Sequence, residues 1–186
     1  LVRQYKKYSI LIIAFIFFTG IIGTRPLIPL LATELDANAA QVGIIVALYP
    51  LLPFFLAIKV GQFVDRIGHK KPIVFSTLVG ALAILLPFCF PTMISILLSQ
   101  VLAGIAHTVF AVSAQTFASS GSSHKSRDNS IMIFSIGVAL GGFLGPMLGG
   151  VFADIWDYPG AFGMLSGFII VSTVLALFLD PTFTTN

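Results

Sequence analysis

Six stretches of this chain run for about twenty residues with scarcely a charge: 10–31, 42–64, 72–90, 92–118, 130–153 and 160–179. A bilayer core of ~30 Å is crossed by roughly 20 apolar residues wound as helix. Each stretch is therefore long enough to cross once, and the pattern predicts an all-α membrane protein with six transmembrane helices.

Composition points the same way. Of 186 residues, 57% are hydrophobic and 9% charged, and mean hydropathy is +1.02. Soluble domains carry about a quarter of their residues charged. The 18 Phe and 17 Gly suit lipid contact and close helix packing. The net charge of +3 does not gather into a tail or a face, so nucleic acid is not an expected partner. The single cysteine, Cys89, lies in an apolar run and has no partner for an intrachain disulfide. Arg3, Lys6 and Lys7 ahead of an apolar stretch resemble a signal peptide, but the stretch continues to about Ala32 without a small-x-small cleavage site. It reads as a retained helix.

The breaks between runs set the direction. Arg3, Lys6 and Lys7, then Arg66, Lys70 and Lys71, then Lys125 and Arg127 fall on one side, eight of the ten basic residues. The opposite connections hold Glu34, Asp36, Asp154 and Asp157 and no Lys or Arg. Cytoplasmic loops are enriched in Lys and Arg. Both termini, the connection 65–71 and the long Ser-rich connection 119–129 are thus expected in the cytoplasm, in a cell membrane of the plasma or inner type. Six such helices can form two three-helix units of inverted topology.

Three local patterns carry chemistry. Between the second and third runs stands Gly61-Gln62-Phe63-Val64-Asp65-Arg66-Ile67-Gly68-His69-Lys70-Lys71. Gly61 is expected to admit a neighbouring helix, and Gly68 to cap a helix in a left-handed conformation. In the fifth run, Gly137, Gly141, Gly145-Pro146 and Gly149-Gly150 place glycines four apart on one helix face, where another backbone can approach. Pro146 removes a backbone hydrogen bond and is expected to bend that helix. In the first run, Gly20 precedes Pro26-Leu27-Ile28-Pro29.

These three segments resemble, in order, the loop motif, the helix-five motif and the first-helix motif of the major facilitator superfamily, most closely its twelve-helix drug–proton antiporters. The resemblance covers essentially all of residues 1–186, as an N-terminal six-helix bundle, with the C-terminal six-helix half absent. It implies a secondary transporter that opens a central cavity to each side in turn and exports small molecules or drugs. An ion gradient, foremost protons, supplies the energy, and no bound cofactor or metal is expected. It further implies that Gly61, Asp65, Arg66, Gly68, His69 and Lys70 steady one conformation. Gly141, Gly145, Pro146, Gly149 and Gly150 would meet the other half. The chain is expected to be either a fragment or a half-size transporter that pairs with a second copy. The alternatives are a membrane partner that keeps the fold without transporting, and uptake or export of an anionic metabolite.

Two departures from the family pattern stand out. The fourth helix of these antiporters carries R-x-x-x-G, whereas this chain has Gln100 four residues before Gly104. The permanent charge implicated in proton handling is missing. His69 replaces an arginine in the loop motif, which makes the charge of that loop sensitive to pH.

Ionisable residues inside the runs are costly and therefore informative. Arg25 is expected to face the cavity and to contact an anionic or polar solute. His107 is the best titratable candidate, and Gln100 and Gln115 are further candidates to line the cavity. Lys59 lies close enough to the cytoplasmic end to snorkel. An enzyme is not expected. Gly163-Met164-Leu165-Ser166-Gly167 lacks the spacing of a serine nucleophile elbow. No run holds paired carboxylates, and His69, His107 and His124 lack metal-ligand spacing.

Overall fold

The computed structural model describes residues 2–119 and 124–179, with side chains from residue 8 onward apart from 52 and 124–126. The side chains of Arg3, Lys6, Lys7 and Lys125, used above for orientation, lie outside the described residues. Among those described, the secondary structure is entirely helical. The helices are α1 (Val2–Gly23), α2 (Leu27–Glu34), α3 (Ala39–Ile67), α4 (Lys70–Cys89), α5 (Met93–Ser119) and α6 (His124–Leu177).

The first apolar run is not one helix but two. Pro26 has no N–H to give to Ile22, and Arg25 N donates to the Ile22 carbonyl instead, at 3.0 Å. Leu27 N and Ile28 N then both turn back to Thr24 O, at 3.0 and 3.1 Å, and α2 starts from Pro26. The correction to a continuous 10–31 helix is thus a break at 24–26, centred on the only cation of the run. α3 starts with a capping box in which Asn38 and Gln41 satisfy each other's backbone N–H groups at 2.8 and 3.0 Å. Together with the lower end at Ile67, this makes the helix longer than 42–64 at both ends.

The connection expected across 119–129 is shorter, because α6 begins at His124. The α6 segment fit to cross a membrane, Arg127–Leu177, has 51 residues. At ~1.5 Å per residue it would measure roughly 77 Å if straight, more than twice a bilayer core. It is not straight. Trp156 and Asp157 leave helical geometry, with φ −129° and +61°.

Glycine contacts show what happens there. A Cβ on Gly137, Gly141 or Gly145 would lie 2.7 Å from the carbonyl oxygen of Leu11, Phe15 or Thr19 respectively, and one on Gly149 would meet Gly23 O. The numbers rise together, so this arm of α6 runs parallel to α1. Past the break, Gly20 packs on Leu165 and Ile169, and Ser172 Oγ donates to Ile13 O at 3.0 Å. Here one number rises as the other falls. The second arm runs antiparallel, and the chain reverses at Trp156–Asp157. Pro146 lies inside the first arm without breaking it; the interruption comes ten residues later.

Helix α1 is therefore sandwiched. Ile10, Ile13, Ala14, Phe17, Phe18 and Ile21 bury one stripe, while Thr19, Gly20 and Gly23 are buried on the faces against α6. Phe17 stacks on Phe110 of α5 with centroids 4.0 Å apart, at the centre of the core. α4 packs on α5 and on α6, and α3 packs chiefly on α5. α3 is the peripheral element: only 12% of its most apolar stretch is buried, and Phe54 and Ile58 are 80% and 78% exposed. A helix this apolar and this uncovered requires a non-aqueous neighbour.

Candidate functional site

The break in the first span places Arg25 at the end of α1, where a cation is favoured by the unpaired carbonyls of the helix terminus. Its guanidinium does not turn outward. It lies over the ring of Tyr49 in α3, 4.1 Å from the centroid, in a cation–π arrangement. Tyr49 is 5% exposed, and its hydroxyl shares a hydrogen bond with His107 Nδ1 in α5. The imidazole meets Phe18 of α1 edge-on, with centroids 5.2 Å apart. Three spans thus contribute one polar group each to a cluster inside an apolar bundle.

Helix packing explains why these groups meet. Gly104 has no side chain, and a Cβ there would come within 2.5 Å of Tyr49 O. α5 can therefore lie directly on the α3 backbone, and His107, nearly one turn on from Gly104, reaches the Tyr49 hydroxyl. Gln100, one turn before Gly104 on the same face, is buried at 3% exposure. Gln115 lies two turns beyond His107 and is exposed. The structure thus brings Arg25 and His107 together, with Gln100 on the same helix face as His107, and leaves Gln115 outside. Lys59 is exposed on α3, eight residues before its end.

Tyr49 is the residue that sequence reasoning passed over. The signal was present: a buried tyrosine hydroxyl needs a partner, and a tyrosine in an apolar run implies one. Ser166, by contrast, donates to Gly163 O at 2.7 Å within its own helix, so its hydroxyl is already engaged.

The loop motif turns out tighter than its spacing suggested. Only Gly68 and His69 separate α3 from α4. Gly68 has φ 79° and ψ 177° rather than the left-handed helical cap expected; it is an extended positive-φ geometry nearly confined to glycine. Among the described residues nothing lies within 4 Å of where a Gly61 Cβ would be, so no helix of this bundle makes the close approach expected there. Asp65 and Arg66 are exposed and Lys70 is half-buried. In the helix-five motif, Gly141, Gly145 and Gly149 are occupied by α1 within this bundle, while Gly150 faces open space.

His69 Nδ1 is buried, with no hydrogen-bond partner among the described residues. Burial pushes the His69 imidazole below its ordinary 6.5, and the nearby Asp65 carboxylate opposes this without cancelling it. The folded state thus resists a proton that the unfolded chain accepts, so stability falls as pH drops below the unfolded value of ~6.5. His69→Gln is expected to flatten this loss. The check is melting temperature in detergent at pH 7.5 and 5.5, where wild type should lose more than the variant.

A helical bundle with membrane-length apolar rods defines a multi-pass membrane protein, here with a polar cluster in its interior at the broken first span. Residues 10–185 match the family model for the Major Facilitator Superfamily, and the chain belongs to that family. It is 30% identical over 180 residues to the class H tetracycline resistance protein of Pasteurella multocida, covering 92% of this chain and 44% of that one. It is 26% identical over 165 residues to multidrug resistance protein 1 of Bacillus subtilis (strain 168), covering 86% and 42%. The chain spans somewhat under half the length of the curated relatives it matches.

Among solved structures, the human organic anion transporter MFSD10 (TETRAN) superposes with a TM-score of 0.80 at 16% identity, covering 98% of this chain and 49% of that one. A bacterial homologue of the human lysosomal transporter Spinster, inward-facing and occupied, gives 0.76 at 20%, covering 98% and 44%. At these identities the likeness is one of fold.

Proposed function

We propose that the chain is the N-terminal half of a secondary transporter that exports small molecules, with Arg25, Tyr49, His107 and Gln100 on the solute path. The observation that carries this reading is the broken first span. Interrupted helices that present polar groups at membrane depth mark binding sites in transporters, and here the break delivers Arg25 onto Tyr49 of α3, which is itself bonded to His107 of α5. The multidrug and tetracycline resistance proteins among the relatives favour export of drug-like solutes.

In this reading the bundle crosses the bilayer six times: α1 with α2, then α3, α4, α5 and the two arms of α6, as two inverted units of three. Both termini lie in the cytoplasm. Lipid and a C-terminal half, or a second copy, cover the exposed apolar faces of α3 and of the first arm of α6. An ion gradient, foremost protons, supplies the energy, and His107 is the titratable group at the cluster.

The test is accumulation of a panel of anionic, neutral and cationic antibiotics and dyes. The host is a strain stripped of its own pumps and expressing the full-length gene. Accumulation of at least one solute is expected to fall several-fold and to recover when a protonophore collapses the gradient. Unchanged accumulation across the panel, with the protein present in the membrane, overturns the reading.

A further inference from the structure

Among the described residues, the charge on Arg25 has no compensating anion. Its guanidinium is engaged by Tyr49, and among the described residues no carboxylate lies within ion-pair distance. The described acids, from Glu34 to Asp157, are all exposed at the ends of helices. Glu34, on the same span, is nine residues on, about 13 Å along the axis. An unpaired cation held at membrane depth is expensive and rarely faces lipid. Snorkelling would have turned the side chain outward, yet it stacks inward on a tyrosine that is itself held by His107.

From this we infer that Arg25 is an anion-binding residue, and that the solutes carried bear a carboxylate, sulfonate or phosphate group. The inference rests on the transport reading above. Arg25 supplies the charge. Tyr49 is a positioning residue: its ring lies under the guanidinium and fixes its plane, so that the N–H groups not engaged by Tyr49 can meet the oxygens of an anionic group. The ring covers one face of the guanidinium, and the hydrogen bond to His107 fixes the ring. Gln100, on the same face of α5, adds a neutral donor and acceptor without a competing charge. The same anionic chemistry could come from a carboxylate fixed in the other half of the protein, and the experiment separates the two sources.

The full-length transporter is reconstituted in proteoliposomes, and uptake of fluorescein, an anion, is compared with that of ethidium, a cation. Wild type is expected to favour fluorescein. Arg25→Gln should reduce fluorescein transport by about tenfold or more while sparing ethidium or other non-anionic solutes, with Arg25→Lys retaining part of the activity. Tyr49→Phe keeps the ring and loses the hydroxyl; it should raise KM for fluorescein several-fold at unchanged turnover.

Transport of ethidium but not fluorescein overturns the anion inference and leaves the transport reading standing. Equal loss of both solutes in Arg25→Gln assigns the counter-charge to the protein's own second half and overturns a solute anion. Transport of neither by the wild type, with the gradient intact, overturns the transport reading itself. An unchanged KM in Tyr49→Phe removes Tyr49 as a positioning residue.

Discussion

Gly145→Val is expected to abolish accumulation of folded protein, whereas Gly43→Val should leave it intact. The added Cβ at position 145 would lie 2.7 Å from Thr19 O and 2.9 Å from Gly23 N. Both neighbours are backbone of a helix sandwiched on two sides, so neither can swing away as a flexible side chain would. Overpacking a well-filled interior costs typically ~1–3 kcal/mol. Here the obstruction is main chain and valine adds two further methyls, so the upper end or beyond is expected. Native stabilities are only ~5–15 kcal/mol in all.

Gly43 has nothing within 4 Å of its Cβ position. Valine there carries no steric cost and removes a helix-weakening glycine, a gain of a few tenths of a kcal/mol. The check is size-exclusion profile and melting temperature of both variants in the same detergent. A monodisperse Gly145→Val protein melting within a degree or two of wild type would show that α1 and the first arm of α6 are not in backbone contact.

Much of this architecture was legible in the apolar runs, because lipid forces length and hydropathy to agree. The reversal at Trp156–Asp157 follows the acidic, tryptophan-bearing break between the fifth and sixth runs, and Pro159 stands just past it, at the start of a helix where a missing N–H costs least. The glycines at 137, 141, 145 and 149 were legible as one face. Their partner was not, because it is the matching four-residue ladder Leu11, Phe15, Thr19 and Gly23, and only one of those four is a small apolar residue that marks itself as a contact.

Gly61 illustrates the opposite case. A motif glycine that touches nothing in this bundle reflects a constraint that local spacing cannot reveal. The candidate site divides the same way. Arg25 and His107 were conspicuous because charge and imidazole are rare in membrane runs. Tyr49 joins them but was hidden, since one tyrosine among apolar residues looks like packing until the register of α3 against α5 is known. The break at 24–26 was half visible: Pro26 stood out as part of a motif, while the rerouting of Ile22 O to Arg25 N is a matter of backbone geometry.

If the Arg25 cluster lies on a path that opens to water on each side in turn, a cysteine in place of Arg25 should react with a membrane-impermeant maleimide. Arg25 is half-buried at a helix break, so the position is not sealed in the core. Cys89 is exposed and must first become serine, together with any cysteine in the remainder of the protein. A solute that prefers one conformation by ~1.4 kcal/mol shifts the accessible population about tenfold.

Labelling of Arg25→Cys in sealed vesicles of defined orientation is the most direct measurement. The expected result is reaction from both faces, with an imposed proton gradient raising the rate from one face and lowering it from the other. A cysteine that stays unreactive from both faces under every gradient would contradict a solute path at Arg25 and leave the cluster as interior packing.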